Sequence, residues 1–430
     1  MSTPAINADA SQSARHLANQ SAAEKTMFLR EGESRRVRRG HPWVFSNEVD
    51  IKRSPFAGFE PGETVKLRDG DGSFIGWADV QPHALLCARV ISRSETDLPD
   101  AQWLANRITL ARARRDRLYM QPFYRLIYAD ADGLSGLIVD RFDDVLVVQS
   151  GSAGMERRLP ALVDILVAEF KPRAVVLKND TGARAQEQLP EVVEVAYGSF
   201  ADPLRVEALG LTFQTPLLTG QKTGWYFDHT DNRRWLIERW MGGAANPSGT
   251  VGRAGARVLD LYAYAGAWSL AAARVGASSV LAVDSSAQAL AVLAENAERN
   301  GLGAQVETLQ LDVPKALARL AAESRQFDVV VLDPPAFIRR RADEKAGKDA
   351  YRKVNLDALR VLAPGGLLVS ASCSALLGAD DHLAAVRTAG RQARRELVLL
   401  HRGGSGPDHP VHPALPMSEY LKCLFFVDVG

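Results

Sequence analysis

Four aspartates and one cysteine carry most of the chemistry readable in this chain. Asp260, Asp284, Asp312 and Asp333 each stand in or at the end of a short apolar run: "RVLDLY", "SVLAVD", "VETLQLD" and "FDVVVLD". Cys373 lies among small residues in "VSASCSAL". The acids can accept hydrogen bonds from the hydroxyls and amine of a ligand. The thiol, as thiolate, can add covalently to a carbon and split one hard step into two easier ones. Each residue also has a plainer reading. An aspartate after a strand often caps the next helix, and a buried cysteine is often a small apolar filler. For any one residue alone the plainer reading is the better one.

The elements that must position these residues decide the matter. From about residue 205, apolar strands alternate with helices. The strand candidates are 257–262, 279–284, 306–312, 327–333, 366–372, 396–400 and 421–427, with helical runs such as "SSAQALAVLAENAERNG" between them. That alternation predicts a mostly parallel sheet with helices on both faces, and near-continuous apolar strands fit burial on both sides. Ligands of such sheets bind outside the carboxyl ends of the strands, where the acids stand. The loop "LDLYAYAGAWSL" contains Gly266 but no G-x-G-x-x-G, so it lacks the bare backbone a pyrophosphate needs. Asp284, with Ser285 beside it, is placed to take both ribose hydroxyls, and Asp312 to take an adenine amine. An adenosine-bearing, phosphate-free, cationic cofactor meets these demands together, which points to S-adenosylmethionine and a methyltransferase. Cys373 follows a strand on the cofactor side, between the small residues Ser372 and Ser374, which leave room for a ligand. Cys87 in "ALLCARV" and Cys423 in "YLKCLFFV" read as core.

Upstream, 27–95 carries short β pieces with a "RDGDG" turn and reads as a small β-rich domain. Residues 96–204 open with an amphipathic connector helix at 100–119. Hairpins, a helix at "MERRLPALVDILVAEF" and two further strands follow, as a small α+β unit. The first 26 residues, small and polar, are expected to be disordered. With 430 residues, 46% hydrophobic and 24% charged, the chain has the composition of a soluble globular protein. Three scattered cysteines form no disulfide framework and no zinc pattern, so a reducing, cytoplasmic setting is expected. No apolar run reaches the roughly 18 residues of a membrane span. His409 and His412 read as loop, without enough partners for a metal, and "DGLSGLIVD" reads as a turn. Net charge is only +1, yet arginines cluster in "RRVRRGH", "RARRDR" and "RRR". One cluster is ordinarily a solvated face; three favour a phosphate-backbone partner.

"GQKTGWYFDHTDNRRW" (220–235), followed in order by "DLYAYAGAWSL", "LDPPAF", "SASCS" and "HPALPMSEYLK", resembles the bacterial 23S ribosomal RNA large-subunit methyltransferase I family. "LREGESRRVRRGHPWVFSNEV" (29–49) is similar to the start of that family's RNA-binding PUA domain. The resemblance runs from about residue 27 to the end. It implies a C-terminal class I methyltransferase, Rossmann-like with a seven-stranded mostly parallel sheet, preceded by a PUA-like domain and a small α+β middle domain. It implies S-adenosylmethionine as cofactor, 5-methylcytosine in 23S rRNA as product, and a possible homodimer. By resemblance, Gln221, Thr223, Phe227 and Asp228 belong to a segment closing over the cofactor. Tyr264 and Gly266 line its methionine end, with Asp260 near the same strand tip. Asp284 holds the ribose, Asp312 the adenine, and Asp333 lies beside the transferable methyl.

In that reading Cys373 adds to carbon 6 of cytosine and makes carbon 5 nucleophilic. Asp333, if protonated, hydrogen-bonds ring nitrogen 3, and Phe337 stacks on the extruded base. Arg35, Arg36, Arg38, Arg39, His41 and Trp43 form the RNA grip, although Trp43 fits a small β core equally well. Two features depart from the family pattern: "YAYAGAW" has a single glycine, and "DHTDNR" stands where "DQRxNR" is expected. Many other RNA 5-methylcytosine enzymes carry a second cysteine after the proline of the "DPP"-like motif; here that place is Pro335 and the next is Ala336. The group that removes the carbon-5 proton is thus open between Asp333 and water. Two other readings compete: the same fold methylating a guanine nitrogen, which needs no cysteine, and a non-catalytic RNA-binding assembly factor.

Overall fold

The computed structural model describes residues 25–220, 223–242 and 255–430. The expected N-terminal tail up to residue 24, and Gln221, lie outside them. By contacts the chain divides into two compact units. Among the described residues, the first comprises 25–202, 217–220, 223–225 and 408–415; the second comprises 203–216, 226–242, 255–407 and 416–430.

The first unit holds two five-stranded sheets. One is built from β1 (Thr26–Phe28), β2 (Trp43–Phe45), β3 (Thr64–Arg68), β4 (Phe74–Val80) and β5 (Leu86–Ser92), in the order β1-β3-β4-β5-β2. A four-residue helix, α1 (Arg35–Arg38), carries the first arginine cluster. The connector helix α2 (Ala101–Asp116) starts at Asp100, whose carboxylate accepts from the Trp103 N–H at 2.8 Å, a standard N-cap. The second sheet contains β6 (Phe123–Tyr128), β7 (Leu137–Phe142), β8 (Val145–Ser150), β9 (Ala174–Asn179) and β10 (Val192–Gly198), with α3 (Ala153–Phe170) between β8 and β9. Trp77 and Ile91 of the first sheet share a buried cluster with Trp103 and Leu126. Arg158 of α3 forks onto Asp79 of β4 at 2.7 and 2.9 Å. The two sheets are therefore one packed body.

The second unit opens with a hairpin, β11 (Leu204–Ala208) and β12 (Leu211–Thr215). The main sheet follows: β13 (Arg257–Leu261), β14 (Ser279–Asp284), β15 (Val306–Gln310), β16 (Phe327–Leu332), β17 (Leu362–Ser372), β18 (Leu397–Gly404) and β19 (Lys422–Asp428). Their order is β15-β14-β13-β16-β17-β19-β18. The first five run parallel, and β19 lies antiparallel between β17 and β18. All seven apolar runs became strands. β17 begins earlier than expected, because "LAPGG" joins it with Gly365 at φ 69°. Helix α4 (Gly182–Gln186) lies in the first unit between β9 and β10, and α5 (Thr230–Trp235) precedes this sheet in the second. The helices within the sheet are α6 (Ala267–Arg274), α7 (Ala287–Arg299), α8 (Val313–Ala322), α9 (Glu344–Arg360) and α10 (Ala379–Ala393). Strand order reverses between β13 and β16. The crevice beyond their carboxyl ends is the topological switch point where such sheets bind ligands.

Candidate active site

Beyond β13 the backbone turns sharply. Tyr262 (φ 66°), Tyr264 (φ 47°) and Gly266 (φ 85°) all adopt left-handed conformations, and the two tyrosines carry strain of order 1–3 kcal/mol each. A Cβ at Gly266 would lie 2.6 Å from Leu293 Cγ, so both conformation and space require glycine there. The loop is pinned by Asp284, whose Oδ2 accepts from Tyr264 N at 3.1 Å while Oδ1 accepts from Ser286 N at 2.9 Å. Asp284 is not the helix cap: Ser286 caps α7 through Ala289 N. Asp312 precedes α8 but makes no side-chain capping bond and is exposed, as is Ser285. The capping explanation therefore fails for both aspartates.

Asp260 behaves differently. It is fully buried, and its Oδ2 accepts from Ser269 N (3.0 Å) and Ser269 Oγ (2.6 Å). Burial outweighs these bonds and pushes its carboxyl up to about 7. It ties α6 to β13 from inside the core and does not line the crevice.

At the tip of β16, Asp333 accepts one hydrogen bond, from Trp268 Nε1 to Oδ2 at 3.3 Å, and its Oδ1 lies 3.2 Å from His229 Nε2 as a charge contact without hydrogen-bond geometry. The His229 ring is buried edge-on to Trp268, with centroids 5.5 Å apart. Its Nδ1 is 3.1 Å from Asn232 Nδ2, an amide that also donates to Gly404 O at 2.9 Å. That amide orientation leaves the imidazole proton on Nε2, facing Asp333. Burial works against a charged His229, but Asp333 and then Asp228 outweigh it and the opposing Arg233, so its pKa is raised. The Trp268 bond and the His229 contact suit Asp333 as an acceptor, whereas the chemistry alone suggested a donor.

Cys373 stands just past β17, half-buried, with its S–H directed to Pro334 O at 3.8 Å. The nucleophile candidate thus touches the loop that carries Asp333. Cys87 and Cys423 are buried, and burial raises both thiols, Cys87 to about 12. Ser372 and Ser374 do not leave open space, as their small size suggested; both are buried. Ser374 Oγ sits 2.8 Å from Tyr351 OH and accepts from Ile338 N at 3.2 Å, locking the thiol's turn to the Asp333 loop. Phe337 is half-buried against Tyr351, with ring centroids 4.7 Å apart.

Phe227 and Asp228 are buried in a short turn, where Tyr420 OH donates to Asp228 Oδ2 at 2.5 Å. Thr223 is buried. Sequence reasoning missed His229, Trp268, Tyr226, which stacks edge-on to Tyr264 at 5.4 Å, and Lys422. The first two lie within quoted motifs, but only contacts distant in sequence reveal what they hold.

In the first unit the expected RNA grip divides by use. Arg36 is committed to the fold, with Nη2 at 2.8 Å from both Glu48 oxygens and 2.9 Å from Trp43 O. Arg38 pairs with Asp69 at 3.2 Å. Arg35 and Arg39 are exposed and make no ion pair among the described residues. With Arg36 and His41 they line an open cavity of about 440 Å³. Trp43 is half-buried and donates to Asp130 at 3.2 Å. In the second cluster Arg115 is fully buried and forks onto Asp132 at 2.7 and 2.8 Å, so the "DGLSGLIVD" turn anchors an ion pair. His409, read as plain loop, is buried 2.8 Å from Asp408. No group of three potential metal ligands occurs among the described residues, and no helix among them is long and apolar enough to cross a membrane.

Residues 27–93 match a PUA-like domain family, and residues 247–348 match a family described as conserved hypothetical protein 95. A solved methyltransferase complexed with SAH superposes with a TM-score of 0.78 at 20% identity, covering 94% of this chain and 100% of that one. A SAM-dependent methyltransferase from Streptococcus mutans gives 0.77 at 18% identity, with the same coverage. These neighbours establish a class I methyltransferase fold. Ribosomal RNA large subunit methyltransferase I of Shewanella denitrificans is 34% identical over 403 residues, spanning 92% of this chain and 97% of the relative. The enzyme of the same name from Erwinia tasmaniensis is 31% identical over 401 residues, with the same coverage. Identity sustained over nearly the whole length of both chains carries one conclusion: this chain belongs to the ribosomal RNA large subunit methyltransferase I family.

Proposed function

We propose that the protein is an S-adenosylmethionine-dependent methyltransferase that forms 5-methylcytosine in 23S rRNA through a covalent adduct at Cys373. The observation that carries this reading is the half-buried Cys373 thiol in contact with the Asp333–Pro334 loop at the switch point of the sheet. The crevice suits the cofactor. Gly266 holds the loop's left-handed turn against Leu293 and Leu270, Asp284 keeps free lone pairs after its two backbone bonds, and Asp312 is unspent on its helix. When bound, S-adenosylmethionine supplies an electrophilic methyl group. Asp284 would hold the ribose and Asp312 the adenine amine, while Tyr264 and Gly266 border the methionine end.

The chain's own chemistry centres on two side chains. The Cys373 thiolate adds to carbon 6 of the base, forming a C–S bond and pushing an electron pair toward carbon 5. After methylation, Asp333 or a water takes the carbon-5 proton, and the C–H electron pair re-forms the ring double bond as the C–S bond breaks and returns the thiolate. Asp333, which accepts from Trp268 Nε1, takes a hydrogen bond from the cytosine 4-amino group; uracil would offer an oxygen there and be rejected. Arg35 and Arg39 contact phosphates. The three reduced cysteines fit work in the cytoplasm.

Nucleoside mass spectrometry tests the reading after unmodified large-subunit rRNA is incubated with the protein and S-adenosylmethionine. New 5-methylcytosine, absent with Cys373→Ala, is the expected result. A methylguanosine product would replace it with the nitrogen-methylating alternative.

A further inference from the structure

Lys422 is a buried cation whose presence the reaction as described leaves unexplained. It opens β19 and pairs across the ladder with Ser372, the residue before Cys373. Only 8% of it is exposed. Its Nζ donates to Ser374 O and Tyr420 O, both at 2.7 Å, and makes no ion pair with a carboxylate among the described residues. Burying an ammonium without a counter-charge is costly, and such a group normally gives up its proton. Burial does pull Lys422 down to about 8, against the upward pulls of Cys373 and Glu419. The carbonyl anchor on Ser374 fixes the ammonium to the same turn that carries the thiol.

We propose that Lys422 is the positioning charge that holds Cys373 as its thiolate. The inference rests on the reading of Cys373 as nucleophile. The S–H bond breaks, its proton ends on Nζ, and an uncharged thiol–amine pair becomes a thiolate–ammonium pair with no further reactant. The neighbouring groups make this charge necessary. Asp333, whose loop meets the sulfur, is acidic. Tyr226, ahead of α5, and Tyr351 of α9 both have phenols raised by burial and so stay neutral. His382 of α10 is pulled down to about 3 by burial and by Lys422, and adds no positive charge. After Cys373 itself, Glu419 sets a negative charge against the lysine.

The test is the pH dependence of iodoacetamide alkylation at Cys373, read by mass spectrometry on the intact full-length protein without RNA. Cys87 and Cys423 are buried, and Cys373→Ala supplies the background. The midpoint should rise by about one pH unit or more in Lys422→Met, with about tenfold slower labelling at neutral pH. Lys422→Arg should hold the wild-type midpoint. Lys422→Gln keeps a donor for the two carbonyls but no charge, so its midpoint must rise as in Lys422→Met. An unchanged midpoint in Lys422→Gln, with wild-type thermal stability, overturns the proposal. If the midpoint shifts but Cys373→Ala still methylates RNA, the charge pairing stands and the nucleophile reading falls.

Discussion

Asp333 shows how one residue's chemistry is set by others. One oxygen accepts from Trp268 Nε1 and the other lies 3.2 Å from His229 Nε2, an arrangement that suits accepting from the base. His229→Ala removes this contact and should lower kcat by about 10- to 100-fold, the equivalent of about 1–3 kcal/mol, with cofactor affinity unchanged. His229→Gln, which can donate from the same side, should recover most of the rate; equal losses in both variants would mean that the ring and not the N–H matters. Asp260 makes a different prediction. Its folded-state value, about 7, lies above the unfolded value near 3.9. The native state therefore holds a proton that the unfolded chain lacks, and stability falls as pH rises between those values. Denaturant melts at successive pH values should show that fall shrink in Asp260→Asn. Cys373, Asp284 and Asp312 were legible because strand ends are readable from apolar runs. His229, Trp268 and Lys422 were not, because their significance lies in contacts with partners far away along the chain.

Among the elements, the loop after β13 carries the greatest constraint. A methyl group at Gly266 meets Leu293, and φ is 85°. Gly266→Ala should cost about 1–3 kcal/mol of stability and weaken S-adenosylmethionine binding, which calorimetry would measure; unaltered binding would remove this loop from the cofactor site. The seven strands of the second unit follow from near-continuous apolar runs and their helical spacers. The β11–β12 hairpin escaped notice although its signal was present. Leu209 and Gly210 both take positive φ, the two-residue turn that suits a hairpin, but leucine is a poor advertisement for it. α1 was also missed, because four residues cannot show helical periodicity.

At the scale of the molecule, the first unit's surface charge is what RNA would feel. Arg35→Glu with Arg39→Glu should weaken rRNA binding and flatten its dependence on salt by about two phosphate contacts. Arg36→Glu should instead destabilise the fold, since it places two carboxylates together at Glu48. Titrations across a salt series, paired with thermal melts, separate the two effects; an unchanged salt slope in the double variant would remove this cavity from the RNA grip. The return of 408–415 to the first unit was illegible in the sequence. Asp408 accepts from Arg125 N at 3.0 Å, and its carbonyl accepts from Arg115 at 2.8 Å, partners separated from it by most of the chain. The covalent role of Cys373 is the claim on which the rest depends, and it can be trapped directly. RNA carrying 5-fluorocytidine at the target position has no carbon-5 proton to lose, so the adduct cannot resolve. Wild-type protein with S-adenosylmethionine should give a denaturation-stable protein–RNA complex with the crosslink mapping to Cys373, and Cys373→Ala none. A methylated product without any such complex, or an adduct at another residue, would contradict the account.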